Sequence, residues 1–310
     1  MLYNFPLSHK QLFELTQKHA TPFHIYDEKM MRDNAARFNR VFDWIPGFMN
    51  YFAVKALPNP FILKVLKDCG MGADCSSLAE LVLAEKAGIT GENIMFSSNN
   101  TPAEEFSAAR KLAAIINLDD ISHIDFLEKV TGMPGVISFR YNPGPLKDGN
   151  VIIGSPEEAK YGLTRPQIIE AYRIARDKGV RRFGLHTMVA SNELNEEYHI
   201  ETARILFELV VEISQKIGIR IEFVDLGGGY GVPYRPEDED LDLAKISHGI
   251  RGEYDRLIAA NGLAPLRIVM ENGRMITGPY GWLVARVRHL KHIYRDYVGL
   301  DASMANLMRP

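Results

Sequence analysis

Hydrophobic and polar positions along the chain follow two periods that take turns. Short apolar, β-branched runs fall at 49–57 (MNYFAVKAL), 72–77 (GADCSS), 94–98 (IMFSS) and 114–120 (AIINLDD). They continue at 136–143 (VISFRYNP), 183–191 (FGLHTMVAS), 221–229 (IEFVDLGGG) and 267–274 (RIVMENGR). Between them lie stretches with apolar residues at helical spacing, such as NPFILKVLKDCG, SLAELVLAEKAG, AEEFSAARKLA and ETARILFELVVEISQKIG. Gly70, Gly88 and Gly218 each follow such a stretch, where a glycine ends a helix without steric cost. Eight strands, each followed by a helical connection, predict a (β/α)₈ barrel.

The ends of the predicted strands decide between that barrel and a doubly wound open sheet. Most runs begin apolar and finish on a reactive side chain: Lys55, Asp74, Ser98, Asp119, Arg140, His186 with Ser191, Asp225 and Glu271. A barrel builds its site from the C-terminal ends of its strands. A dinucleotide-binding sheet would instead place its glycine loop after an early strand, and here the triple glycine comes late. We assign 26–277 to the barrel. Residues 1–25 and 278–310 do not share its rhythm and are expected to form part of a β domain. There, GWLVARVRHLKHI and DYVGLDA read as two antiparallel strands, too few to complete such a domain, so the C-terminal part is expected to be missing.

Composition narrows the class further. Of 310 residues, 46% are hydrophobic and 24% charged, with a net charge of −3, so there is no basic field for nucleic acid or an anionic membrane. No apolar run approaches the roughly 20 residues of a membrane helix. The first residues lack a signal-peptide pattern, which predicts a cytoplasmic protein. Two cysteines, Cys69 and Cys75, offer neither a disulfide framework nor metal-site spacing, and no metal is expected.

Three segments carry candidate chemistry. Lys55 falls inside an apolar strand run, where an unpaired ammonium is costly and covalent chemistry with a carbonyl becomes favourable. The alternative is a lysine whose stem packs while its head reaches solvent. In DLGGGYG, three glycines after a strand leave backbone N–H groups open to a phosphate, or form a tight barrel loop. Glu271 and Arg274, in ENGR, either close the barrel mouth as an ion pair or serve a ring nitrogen and an anionic group. Lysine, glycine loop and buried carboxylate together suit pyridoxal phosphate, an electron sink for a carbanion at an amino acid's α-carbon.

With these motifs assembled, the chain resembles the fold-type III pyridoxal-phosphate-dependent decarboxylases, within them the diaminopimelate decarboxylases. The ordered motifs YFAVKALPNP, GADCSSLAE, SFRYNPG, GLHTMVAS, DLGGGYG, ENGR and LDASMANLMRP carry the resemblance, from about Thr21 to Pro310. It implies a TIM barrel of the alanine-racemase-like type, with Lys55 forming the internal aldimine and Glu271 partnering the pyridinium nitrogen. It also implies that Gly227, Gly228, Gly229, Gly273, Arg274 and Ser191 surround the phosphate and neighbouring substrate. Asp74 and Arg140 would line the cofactor pocket, and Arg274 and Arg309 would meet substrate carboxylates. The implied activity is decarboxylation of meso-diaminopimelate to L-lysine, by a homodimer. The alternatives are ornithine- or arginine-type decarboxylation on the same scaffold, or a non-catalytic relative that binds pyridoxal phosphate. Glu271 speaks against a racemase, which would place an arginine at the ring nitrogen.

The sequence also departs from the family. The usual H-x-H-x-G-S has become HTMVAS, so Met188 replaces the histidine that stacks on the pyridine ring, and Ala190 replaces the glycine. A thioether can pack against a ring face but lacks the imidazole's hydrogen bonds. His186 remains, either as a cofactor-pocket residue or as a barrel-core histidine. Asn272 stands where the family has a proline, and Leu57 where it has an asparagine. Family members run beyond this arginine–proline, so the chain is expected to lack the general acid that comes from the later β domain.

Overall fold

The computed structural model describes residues 5–308. A short strand, β1 (Phe23–Tyr26), precedes the eight predicted barrel strands, all of which form: β2 (Met49–Ala53), β3 (Gly72–Cys75), β4 (Ile94–Ser97), β5 (Ile115–Leu118), β6 (Val136–Arg140), β7 (Arg182–His186), β8 (Ile221–Asp225) and β9 (Arg267–Met270). They pair in parallel, in sequence order, and β9 closes on β2 through Met49–Val269 and Asn50–Met270. The (β/α)₈ barrel is therefore correct. Predicted runs overshoot the C-terminal ends of the strands, because the chain leaves the barrel wall just where the reactive side chains begin.

Helices return the chain from the top of each strand to the bottom of the next, among them Pro60–Asp68, Leu78–Lys86, Ala103–Lys111 and the long Glu196–Ile217. Gly218 caps this last helix at φ 71°, a left-handed conformation that glycine adopts without strain. Outward side chains of the strands, such as Phe52, Phe96, Phe139 and Leu185, pack with the helices in one continuous core. Inward side chains form a second, smaller cluster low in the barrel: Tyr51, Met95, Ile115, Val136, Phe223 and Val269. The Phe223 ring crosses this space so closely that a Cβ on Gly184 would fall 2.0 Å from it.

Two residues further along six of the strands, on the same inward face, the lining becomes polar. Met95 gives way to Ser97, Ile115 to Asn117, Val136 to Ser138, Gly184 to His186, Phe223 to Asp225 and Val269 to Glu271; all of these polar residues are buried. The barrel thus has an apolar floor and a polar upper layer beneath its mouth.

The flanks differ from the sequence expectation in detail. Residues 1–25 were assigned to a β domain, yet their described part contains a helix, His9–Lys18, capped by Ser8 and Gln11, before β1. The predicted strand GWLVARVRHLKHI divides into β10 (Gly281–Val284), antiparallel to β1, and β11 (Val287–His292). β11 forms a hairpin with β12 (Asp296–Leu300). Among the described residues, no helix is long and apolar enough to cross a membrane.

Candidate active site

The mouth of the barrel holds a cavity of ≈ 660 Å³ whose lining includes Lys55, Asp74, Met188, Ser191, Gly229, Glu271, Gly273 and Arg274. A second lobe of ≈ 530 Å³ shares Lys55, Met188 and Ser191 with it and adds Arg140, Lys160 and Tyr161. Residues predicted from six separate motifs therefore converge on one opening.

Lys55 is not a strand residue, as the apolar run suggested. β2 ends at Ala53, and Val54–Ala56 form a 3₁₀ turn that lifts Lys55 out of the wall. Its side chain is exposed, not buried, and it has no ion pair among the described residues. The 3₁₀ turn, rather than burial within the strand, brings Lys55 into the cavity lining.

Glu271 follows β9, and its carboxylate is buried at the cavity floor with Oε1 unpartnered. Its Oε2 lies 3.2 Å from His186 Nε2, within pairing distance though off the hydrogen-bond line. Burial opposes the charge on Glu271, but His186, then Arg140 and Lys55, hold it below the ordinary carboxylate range. Its neighbours behave oppositely. Burial, and then the charge of Glu271, push Asp74 and Asp225 well above that range, toward their protonated forms. His186, Asp225 and Glu271 come within 4.8 Å of one another at their ligand atoms. The Arg140 guanidinium beside His186 opposes a metal cation there.

His186 is completely buried and lies behind Glu271 rather than in the cavity lining, so its placement favours the barrel-core alternative. Met188 lines both lobes, and its sulfur accepts the Gly228 N–H at 3.3 Å. Of the triple glycine only Gly229 reaches the large cavity. Gly227 donates its N–H to Asp225 Oδ1 at 2.8 Å. A Cβ at Gly227, Gly228 or Gly229 would lie 2.3, 2.3 or 2.4 Å from the carbonyl oxygens of Thr187, Glu271 and Ala190. The glycines are thus required by neighbouring backbone as well as by any ligand. Arg274 lines the cavity and donates to Tyr234 Oη at 2.6 Å, with no carboxylate partner among the described residues. Arg140 lines the second lobe and pairs with Asp119 at 2.9 Å. Arg309 lies outside the described residues.

Sequence reasoning missed Asn50 and Asn117. Asn117 contacts His186 Nδ1 and donates to Ser97 Oγ, while Asn50 ties β2 to the loop after β9. Both are amides inside apolar runs, a signal that could have been used.

These features fit pyridoxal phosphate. A lysine without an ion pair and a buried glutamate with one carboxylate oxygen unpartnered line one cavity, together with an arginine that has no carboxylate partner among the described residues. A closed parallel barrel with that site defines an enzyme of the pyridoxal type. Residues 30–278 match the family model described as the pyridoxal binding domain of pyridoxal-dependent decarboxylases. The chain belongs to this family, and its cofactor is pyridoxal phosphate. Protein TabA of Pseudomonas amygdali pv. tabaci is 39% identical over 306 residues, covering 99% of this chain and 70% of that protein. Diaminopimelate decarboxylase of Methanothermobacter thermautotrophicus is 32% identical over 300 residues, covering 96% and 70%. The crystal structure of diaminopimelate decarboxylase from M. jannaschii in complex with L-lysine superposes with a TM-score of 0.86 at 27% identity, covering 96% of this chain and 71% of that one.

Proposed function

We propose that the protein decarboxylates meso-diaminopimelate to L-lysine, with Lys55 as the attachment point of the cofactor and Glu271 as the partner of its ring nitrogen. The observation that carries the assignment is the shared cavity, whose lining holds both Lys55 and Glu271, a buried carboxylate with Oε1 left without a partner. When bound, the cofactor supplies a protonated ring that accepts the electron pair left at the α-carbon as carbon dioxide departs.

The chain's own residues supply the rest. Glu271, ionised in a buried setting, holds a proton on the ring nitrogen. Arg274, Ser191 and the backbone of Gly229 and Gly273 hold the phosphate, with Gly227 and Gly228 shaping the loop behind them. Asp74, whose carboxyl burial pushes well above the ordinary range, stands in the same cavity wall as Lys55. Met188 packs at the junction of the two lobes as an apolar wall that takes no part in proton transfer. Arg140 belongs to the second lobe, and Arg309 is assigned to the substrate's distal carboxylate from sequence.

Diaminopimelate as substrate is supported by the similarity to diaminopimelate decarboxylases and by the L-lysine held in one of their structures. The test is carbon dioxide release from meso-diaminopimelate, L-lysine, L-ornithine and L-arginine at equal cofactor occupancy. The proposal predicts a preference for meso-diaminopimelate with one L-lysine formed per carbon dioxide. A preference for L-lysine, L-ornithine or L-arginine, whose distal ends lack a carboxylate, would contradict it.

A further inference from the structure

His186 has no direct place in the mechanism above, yet it occupies the centre of the polar layer. Its ring is wholly buried on β7, between Arg140 of β6 and Glu271 beyond β9. Arg140 Nε donates toward His186 Nδ1 at 3.4 Å, and Arg140 is itself held by Asp119 at 2.9 Å. Asn117 contacts the same ring nitrogen and could present either end of its amide. A guanidinium carries donors only and keeps its protons, so it settles the matter: Nδ1 is an acceptor. The ring's one proton then resides on Nε2, the nitrogen 3.2 Å from Glu271 Oε2.

We propose that His186 is a positioning residue for Glu271: fixed as the Nε2–H tautomer, it sets its one N–H 3.2 Å from Oε2, within pairing distance though off the hydrogen-bond line, and leaves Oε1 without a partner. Asp119, Arg140, His186 and Glu271 form a file across the barrel interior, from the loop after β5 to the loop after β9. The file determines which carboxylate oxygen is free and in which orientation it is held. Burial lowers the imidazole's affinity for a second proton. The groups around the ring pull both ways: the Arg140 cation opposes that second proton, while the Glu271 and Asp119 carboxylates favour it, and Asp225 completes the cluster.

The inference rests on the proposed pairing of Glu271 with the ring nitrogen, and its test separates the two. In protein labelled with ¹⁵N-histidine, two-bond proton–nitrogen correlations report the tautomer of His186 with or without cofactor. The expected result is neutral Nε2–H from pH 6 to 8; a proton on Nδ1, or an imidazolium, would overturn the proposal. The second arm uses pyridoxal phosphate labelled with ¹⁵N in the ring and the variants His186→Gln and His186→Leu. The Gln variant retains a side-chain donor toward Glu271 and should keep the ring-nitrogen shift of a protonated pyridine. The Leu variant should move that shift toward the unprotonated value and lower kcat on the order of tenfold or more, with KM changing less. If His186→Leu leaves both shift and kcat unchanged, His186 is core packing alone. Should the Leu variant fail to fold, the tautomer and the Gln variant still decide. An unprotonated ring nitrogen in the unsubstituted holoenzyme would refute the Glu271 pairing while leaving the tautomer result to stand by itself.

Discussion

Asn50 and Asn272 exchange two hydrogen bonds across the seam where the barrel closes. The Asn272 N–H donates to Asn50 Oδ1 at 2.9 Å, and Asn50 Nδ2 donates to the Asn272 carbonyl at 3.0 Å. The Asn272 side chain in turn accepts the N–H of Tyr230 at 3.1 Å, joining the glycine loop to the same knot. Position 272, a proline in the family pattern, here supplies a donor that proline lacks. The knot lies directly beside Glu271 and holds the floor of the cavity in place.

Asn50→Leu is therefore expected to be costly although it keeps the branching of the side chain. It strands the buried N–H and carbonyl of Asn272, at roughly 1–3 kcal/mol for each group left unpaired. Urea unfolding monitored by circular dichroism should show a lower midpoint with an unchanged slope. An unaltered midpoint would mean that water replaces the amide.

Two glycines should respond oppositely to the same substitution. Gly228→Ala places a methyl carbon 2.3 Å from the Glu271 carbonyl oxygen, and overpacking of that kind costs about 1–3 kcal/mol. Because the displaced backbone carries Glu271, cofactor affinity should fall as well. Gly252→Ala, within the helix Leu243–Tyr254, meets nothing within 4 Å and should stabilise by about 0.5–1 kcal/mol. Thermal unfolding and cofactor titration of both variants check the contrast.

His199 predicts the acid limb of stability. Burial lowers its pKa from 6.5 to about 4, with Nε2 3.3 Å from the Glu193 carbonyl oxygen and the ring 4.0 Å from that of Tyr230. Below pH 6.5 the unfolded chain takes up a proton that the folded chain refuses until about pH 4. Stability from this group is therefore full above pH 6.5 and falls as the pH drops through that window, by roughly 3 kcal/mol at most. The unfolding free energy of His199→Gln, measured from pH 4 to 8, should depend less steeply on pH over that window; identical slopes would refute the assignment.

The barrel was legible because its strands carry one signal repeated eight times, an apolar run ending in a polar residue. The exact ends were less legible. Lys55 reads as part of its strand because Val54 and Ala56 are apolar, while the 3₁₀ turn that exposes it depends on backbone geometry. The polar layer was written in the parity of the runs: Asn117 shares the inward face of Ile115, whereas Asn50, on the outward parity of Phe52, is an amide of the closing seam. The role of His186 depends on Arg140 and Glu271, which arrive from other strands, and no local pattern reveals such an encounter. The split of the predicted strand into β10 and β11 likewise depends on distant pairing, since β10 finds its partner in β1.

The attachment point of the cofactor is the most direct measure of the account. Lys55 is the lysine in the large cavity at the barrel mouth, in the same lining as Glu271 and Arg274. Reduction of the holoenzyme with borohydride, followed by proteolysis and peptide mass mapping, should find a stoichiometric pyridoxyl group on Lys55, and Lys55→Ala should abolish the label while the protein remains folded. A label on Lys160 or any other lysine, or none on a folded and cofactor-saturated protein, would contradict it.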